Sequence, residues 1–325
     1  MGEFELIRQY FMPLARLHGS SSVIVGPGDD CAVQRVPPGS DLVFSIDTLV
    51  EGVHFPVGYR PDYLGWRALA VAASDLAAMG AEPGCFTLAL TLPEADELWL
   101  RDFAFGLGNA AESFGLALAG GDTTRGPLTL SVQVHGVVEQ GCAIRRTGAR
   151  AGDLIVVSGS LGDAGAALDY LPAQDDLDAD HSVAADEQFV LERYHHPQPR
   201  LDLGIALRKL ATAAIDISDG LLADLNHILE ASNVGASIEL ARIPLSPALV
   251  RLKGAAATDY ALHSGDDYEL CATISEASWV AAPEWLKQQL TVVGVIEPVA
   301  GLRLDGSAVV SGSEATGFDH FRRKA

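Results

Sequence analysis

Seven aspartates of this chain recur in one kind of setting. Asp29 and Asp30 sit in V-G-P-G-D-D-C-A-V, and Asp47 closes the apolar run D-L-V-F-S-I-D-T-L. Asp75 interrupts A-L-A-V-A-A-S-D-L-A-A-M-G, and Asp122 follows two glycines in G-G-D-T-T-R-G. Asp216 and Asp219 share A-I-D-I-S-D-G-L-L-A-D-L. Each lies beside a glycine turn, at the end of a strand-length apolar run, or within an apolar helix. Such strand ends and turns are where α/β folds carry their chemistry. Adjacent carboxylates repel unless something positive lies between them, and a charge on an apolar helix face is costly unless paired or metal-bound. The bland alternatives are a solvated acidic turn at Asp29 and Asp30, a solvent-facing Asp75, and a helix cap at Ser218 or Asp219.

Between these acids the hydrophobic period alternates between helix and strand. Helices are predicted at residues 3–17, 61–79 and 94–114. Strands are predicted at 41–49, 86–92, 116–119 and 128–138, so that Asp122 would follow a strand. After a basic, glycine-rich connector at 141–153, strands are predicted at 154–157, 236–240, 270–274 and 291–296, with a strand ending at Asp216. Helix is expected within 189–209, from Ser218 or Asp219 onward, and at 279–290. Residues 171–187 are acidic and contain Pro, which suggests a loop. The pattern is α/β (α+β), with two domains at 1–140 and 141–325.

Composition narrows the function. Lys and Arg number 22 against 43 Asp and Glu, for a net charge of −21. That opposes nonspecific nucleic-acid binding and docking on anionic lipid. A polyanionic substrate then requires metal cations for neutralisation. Arg145, Arg146 and Arg150 form a local basic island, suited to phosphate oxygens or to balancing nearby acids. The four cysteines are far apart and form no C-x-x-C pair, so neither zinc nor a disulfide framework is expected. His195 and His196 lack a spaced partner for zinc. With no signal-like N-terminus and no membrane-length apolar run, a cytoplasmic protein is expected.

Carboxylate oxygens without sulfur suit hard divalent cations. Magnesium takes one or two carboxylates per ion, so this many acids suggests several ions along a polyphosphate, the arrangement of phosphoryl transfer. G-x-x-x-x-G-K-[ST] and the protein-kinase motif set are both missing, so phosphate would be held mainly through metal.

G-D-D-C-A-V, S-I-D-T-L-V-E-G-V-H-F, A-V-A-A-S-D-L-A-A-M-G-A-E-P, G-G-D-T-T-R-G-P-L, R-T-G-A-R-A-G-D, I-D-I-S-D-G-L and S-G-D-D-Y-E-L occur in that order. Together they resemble the bacterial thiamine-monophosphate kinases, within the aminoimidazole-ribonucleotide-synthetase (PurM-like) superfamily, from about Phe4 to Phe318. The resemblance implies a two-domain PurM-like fold. It also implies transfer of the ATP γ-phosphoryl group to thiamine monophosphate, the last step to thiamine diphosphate. Asp30, Ser45, Ile46, Asp47, Asp75, Asp122, Asp216 and Asp219 would hold several Mg²⁺ ions, with Ile46 contributing only its backbone carbonyl. Gly121, Arg146 and Ser218 would contact ATP. His54, Asp266 and Phe318 would line the thiamine-phosphate site. Asp122, Asp219 and Arg146 would act on the transferred group. A homodimer pairing N-terminal sheets is implied as well. Ile46 stands where the family often has Thr, and Asp266 where Glu is common.

Two rivals differ in class. One is an ATP-dependent synthetase of the same superfamily that activates an amide or a selenide as a phosphate intermediate; D-T-L-V-E-G-V-H-F and G-F-D-H-F favour the kinase. The other is a divalent-metal buffer, which EF-hand spacing would favour, and no such spacing occurs.

Overall fold

The computed structural model describes residues 2–17, 22–171 and 184–307. The chain divides into two compact units. One holds residues 1–77 and 81–143; the other begins at Ile144 and takes in the short turn Ala78–Gly80.

The first unit opens with α1 (Glu3–Leu6), a π-helical stretch Ile7–Phe11 and α2 (Met12–Leu17). Then come β1 (Val23–Val25) and β2 (Val33–Gln34), an antiparallel pair that brackets the Gly-Asp-Asp turn. They are followed by β3 (Ser40–Val50), α3 (Pro61–Ala78), β4 (Glu82–Leu92), α4 (Glu97–Phe114), β5 (Ala117–Arg125) and β6 (Thr129–Glu139). The sheet order is β3-β6-β4-β5; β4 and β5 run parallel and the other pairs antiparallel.

The period-2 alternation of β6 decides what each face of this sheet does. Leu130, Val132 and Val134 are buried. Ser131, Gln133 and His135 alternate with them toward the opposite face. On that opposite face the neighbouring β3 exposes Phe44 and Ile46, each 62% accessible.

α3 and α4 meet backbone to backbone. A Cβ at Gly106 would lie 1.9 Å from the Asp62 carbonyl oxygen, and one at Gly65 would lie 2.3 Å from that of Phe103. Gly106→Ala is therefore expected to cost roughly 2–3 kcal/mol by forcing the helices apart. Urea unfolding checks this; a loss below about 0.5 kcal/mol, the range of ordinary surface substitutions, would show that the contact yields easily.

The second unit contains β7 (Leu154–Ser158), α5 (Asp163–Ala167), α6 (Ala185–His195), α7 (Leu201–Leu207), β8 (Ala211–Ile217), α8 (Leu221–Ser232) and β9 (Gly235–Ile238). It continues through α9 (Pro247–Lys253), α10 (Ala257–His263), β10 (Glu269–Ile274), α11 (Glu276–Ala281), α12 (Glu284–Lys287), β11 (Leu290–Glu297) and β12 (Gly301–Leu304). Its sheet runs β12-β9-β11-β7-β10-β8, which puts β8 at an edge. Ile155, Val157, Ile215 and Ile217 of the sheet share one core with Leu221, Leu225 and Ile228 of α8.

Four local expectations are corrected. Asp122 lies within β5, because parallel pairing with β4 carries that strand through Arg125. Neither Ser218 nor Asp219 caps α8; Gly220 occupies the cap position with φ 112° and no side-chain bond. The helix expected at 279–290 is two short helices, since Pro283 lacks the N–H that a continuous one needs. The acidic loop ends early, with α6 beginning at Ala185; residues 172–183 of it lie outside the described residues.

Candidate active site

In the first unit the residues fall into two sets. β3 alternates, so Ser45 and Asp47 share one face while Ile46 points to the other. The Ser45 hydroxyl donates to Asp75 Oδ2 from α3, which gives the acid on the apolar helix its partner. Asp47 Oδ2 is shielded from solvent. The second set surrounds a cavity of about 760 Å³. Asp29 and Asp30 reach it from the glycine turn, Gly121 and Asp122 from β5, and Arg8 from the π-helical stretch. Asp29 Oδ1 accepts the Asp30 N–H at 2.9 Å, so it supports the turn. A Cβ at Gly121 would lie 2.1 Å from the Leu88 carbonyl oxygen, so only glycine lets β5 lie this close to β4 here. His54 sits in the tight turn after β3, where its Nδ1 accepts the Val50 N–H at 3.0 Å.

In the second unit Asp216 lies near the end of β8 and is buried at 5% accessibility. Ser218 and Asp219 follow, half-buried. Both of their N–H groups donate to one oxygen, Asp224 Oδ2, at 3.0 Å each. Asp224 lies in the first turn of α8. Burial pushes its carboxyl up to about 7; the two N–H donors pull it down, and Asp216 and Asp219 push it further up.

The turn after α10 closes on the same place. Asp266 N–H donates to the Ser218 carbonyl at 2.9 Å, and Tyr268 N–H to that of Ile217 at 2.8 Å. Asp266 and Tyr268 both carry positive φ, 70° and 50°. The Tyr268 hydroxyl donates to Asp266 Oδ1 at 2.9 Å. Such conformations in non-glycine residues concentrate at functional sites.

Arg146 is exposed, and its carbonyl accepts the Ser232 hydroxyl at 3.1 Å. Phe318 lies outside the described residues. His195 packs edge-on against Tyr194, and His196 pairs with Glu192 at 2.8 Å. Among the described residues, no group of three or more His, Cys, Asp or Glu side chains is assembled to hold one ion. The donor set is carboxylate and hydroxyl oxygen, which fits a hard divalent cation.

Sequence reasoning missed Asp224, although an acid six residues after Ser218 in a helix's first turn is a signal that could have found it. It also missed the ion cluster around Glu269. That side chain is fully buried and meets Arg193 at 2.7 Å, Arg200 at 2.7 and 2.5 Å, and the Ser158 hydroxyl at 2.5 Å. Burial would raise its pKa, but the two guanidiniums and Ser158 outweigh this and hold Glu269 below the ordinary carboxylate range. Neighbouring Asp267 behaves oppositely: burial pushes it well up, despite the Gly162 N–H it accepts at 2.7 Å.

The four cysteines are free, and burial pushes the thiols of Cys85 and Cys271 up to about 11 and about 12. No helix among the described residues is long and apolar enough to cross a membrane.

Residues 28–138 match the N-terminal domain, and residues 150–306 the C-terminal domain, of AIR synthase related protein. The chain is 44% identical to the thiamine-monophosphate kinase of Escherichia coli (strain K12), over 98% of each chain. Its fold is similar to the crystal structure of thiamine-monophosphate kinase from Stenotrophomonas maltophilia K279a. The TM-score is 0.85 at 45% identity, covering 92% of this chain and 97% of that one. It is also similar to AaThiL complexed with AMPPCP and TMP, with a TM-score of 0.79 at 32% identity, covering 98% and 97%.

Proposed function

The chain belongs to the thiamine-monophosphate kinase family, with its two-domain PurM-like fold, and from that membership we infer its reaction. It phosphorylates thiamine monophosphate with ATP, giving thiamine diphosphate and ADP. The observation that carries this is 44% identity with such a kinase over nearly the full length, combined with acids held on strands, on a helix and in glycine turns.

The assignment of individual residues is part of the proposal. Asp30, Ser45, Asp47, Asp75 and Asp122 from the first unit, with Asp216 and Asp219 from the second, would hold Mg²⁺, joined by the Ile46 carbonyl. Gly121, Arg146 and Ser218 would contact ATP. His54, Asp266 and Phe318 would hold the acceptor. Asp122, Asp219 and Arg146 would serve the transfer itself. Residues 1–140 would then form the nucleotide, metal and dimerisation domain, and residues 141–325 would complete the site. Bound Mg²⁺ would neutralise phosphate charge as it shifts toward ADP.

The acceptor is already a phosphate, ionised at neutral pH, so no side chain is needed as a general base. One of its oxygens attacks the γ-phosphorus directly and in line. The bond from that phosphorus to the oxygen bridging the β-phosphate breaks, and ADP leaves. The chain's contribution is orientation and exclusion of competing water. Arg146 supports this role because its exposed guanidinium belongs to a basic island in a chain of net charge −21.

A second copy of the chain would cover the open sheet face around Phe44 and Ile46. Large apolar side chains left exposed together favour that reading of a homodimer. The cytoplasm, where thiols stay reduced, suits four free cysteines.

ADP release, followed by a coupled assay, is expected to require thiamine monophosphate and to stop on chelation of Mg²⁺. Equal ADP release with an amide acceptor would favour the synthetase reading instead. Metal binding without any ATP turnover would favour the buffer.

A further inference from the structure

Asp224 has a placement that ordinary helix capping does not explain. A cap is made most cheaply by Ser, Thr or Asn at the residue before the helix. Here that residue is Gly220, and the acceptor is a carboxylate from inside the first turn. Asp224 is 2% accessible, with Asp216 and Asp219 as its acidic neighbours. Burying a further acid beside two others is unfavourable unless it is well hydrogen-bonded. What it holds is specific: the amides of Ser218 and Asp219, both at 3.0 Å and both on one oxygen.

The other side of the same peptide is held as well. The Ser218 carbonyl accepts Asp266 N–H at 2.9 Å. Gly265 leaves no slack, since a Cβ there would lie 2.2 Å from that carbonyl oxygen. The Ser218–Asp219 peptide is therefore fixed from both sides, by Asp224 through the Asp219 N–H and by the Asp266 backbone through the Ser218 carbonyl.

We propose that Asp224 is a positioning residue for phosphoryl transfer. Its carboxylate fixes the backbone of Ser218 and Asp219, so that the one meets the nucleotide and the other presents its carboxylate. Through the Ser218 carbonyl it also sets the turn that carries Asp266 on the acceptor side. The role is hydrogen bonding rather than charge. The inference rests on the site assignment proposed above.

The test uses the full chain with Asp224→Ala and Asp224→Asn. It measures KM for both substrates, kcat, thermal unfolding, and affinity for Mg²⁺–AMPPCP by calorimetry without turnover. Asp224→Ala orphans both amides. It is expected to weaken Mg²⁺–AMPPCP binding about tenfold and to lower kcat by one to two orders of magnitude, roughly the effect of misplacing reacting groups by an ångström. Asp224→Asn keeps an acceptor oxygen in place and is expected to stay within about threefold of the parent on every count, since both hydrogen bonds are retained. A purely structural role would lower the unfolding temperature of Asp224→Ala while leaving KM, kcat and calorimetric affinity unchanged below it, and that result overturns the proposal. Where Asp224→Ala does not fold, Asp224→Asn decides: a tenfold loss of affinity would show that charge matters and overturn it. If the parent releases no ADP with thiamine monophosphate, the acceptor assignment fails. The calorimetric difference between the two variants still reports on Asp224.

Discussion

Asp122→Asn is expected to lower kcat by about 10²–10³-fold, the loss typical of removing one group that stabilises charge in transit. Asp122 is exposed within β5, at the rim of the cavity it shares with Asp30 and Gly121. Asparagine has nearly the same shape, so the strand and its pairing with Ala89 have no reason to change. What disappears is a negative charge and one oxygen able to bind a hard cation. The unfolding temperature should stay within about a degree, as for an exposed substitution worth under 0.5 kcal/mol. Part of the lost rate should return as Mg²⁺ is raised, because a weakened site refills by mass action. Unchanged turnover of the variant at saturating Mg²⁺ would remove Asp122 from the catalytic set.

Glu269→Gln is expected to cost about 3–5 kcal/mol of stability, because breaking a buried ion pair leaves uncompensated charge. Glu269 is completely buried, and two guanidiniums converge on it. Glutamine fits the space but leaves Arg193 and Arg200 facing an amide whose NH₂ cannot accept from either. Urea unfolding of the second unit's core reads the loss, and a value below about 1 kcal/mol, the usual worth of an exposed pair, would place these charges in effective contact with water. The pH dependence has a definite sign. Glu269 is held below its ordinary value of 4.5 in the folded chain. Its contribution is therefore complete above about that pH and is lost as pH falls through the lower folded value. The stability of Glu269→Gln should accordingly flatten in acid relative to the parent.

The acid-bearing segments were legible because each is local: a turn, a strand end or an apolar helix shows itself within about ten residues. Long-range facts were not. Both R-Y-H-H-P-Q-P-R and S-G-D-D-Y-E-L stand out as strings, yet nothing in either shows that Arg193 and Arg200 close on Glu269. The extension of β5 through Asp122 depends on a parallel partner, β4, and parallel pairing leaves no local signature in the residues that join it. The reversal at α8 is of another kind. Ser218 and Asp219 have the right chemistry for caps, but their own amides are what needed an acceptor, and Asp224 supplied it from the helix side. The split at Pro283 was readable from the residue type alone.

The sheet order β3-β6-β4-β5 has a consequence for synthesis. β3 is the first strand of that sheet made, yet it is an edge strand whose one neighbour, β6, is the last. On the ribosome β3 therefore waits, its backbone unpaired, until β4, α4 and β5 have also emerged. No early hairpin can shelter it, and pairing between such distant segments is slow. A nascent chain with an unpaired apolar edge is the form in which strands of different molecules find each other. For this protein the window for aggregation is set by the time taken to translate the residues between Val50 and Glu139, and slowing the ribosome across that interval should widen it.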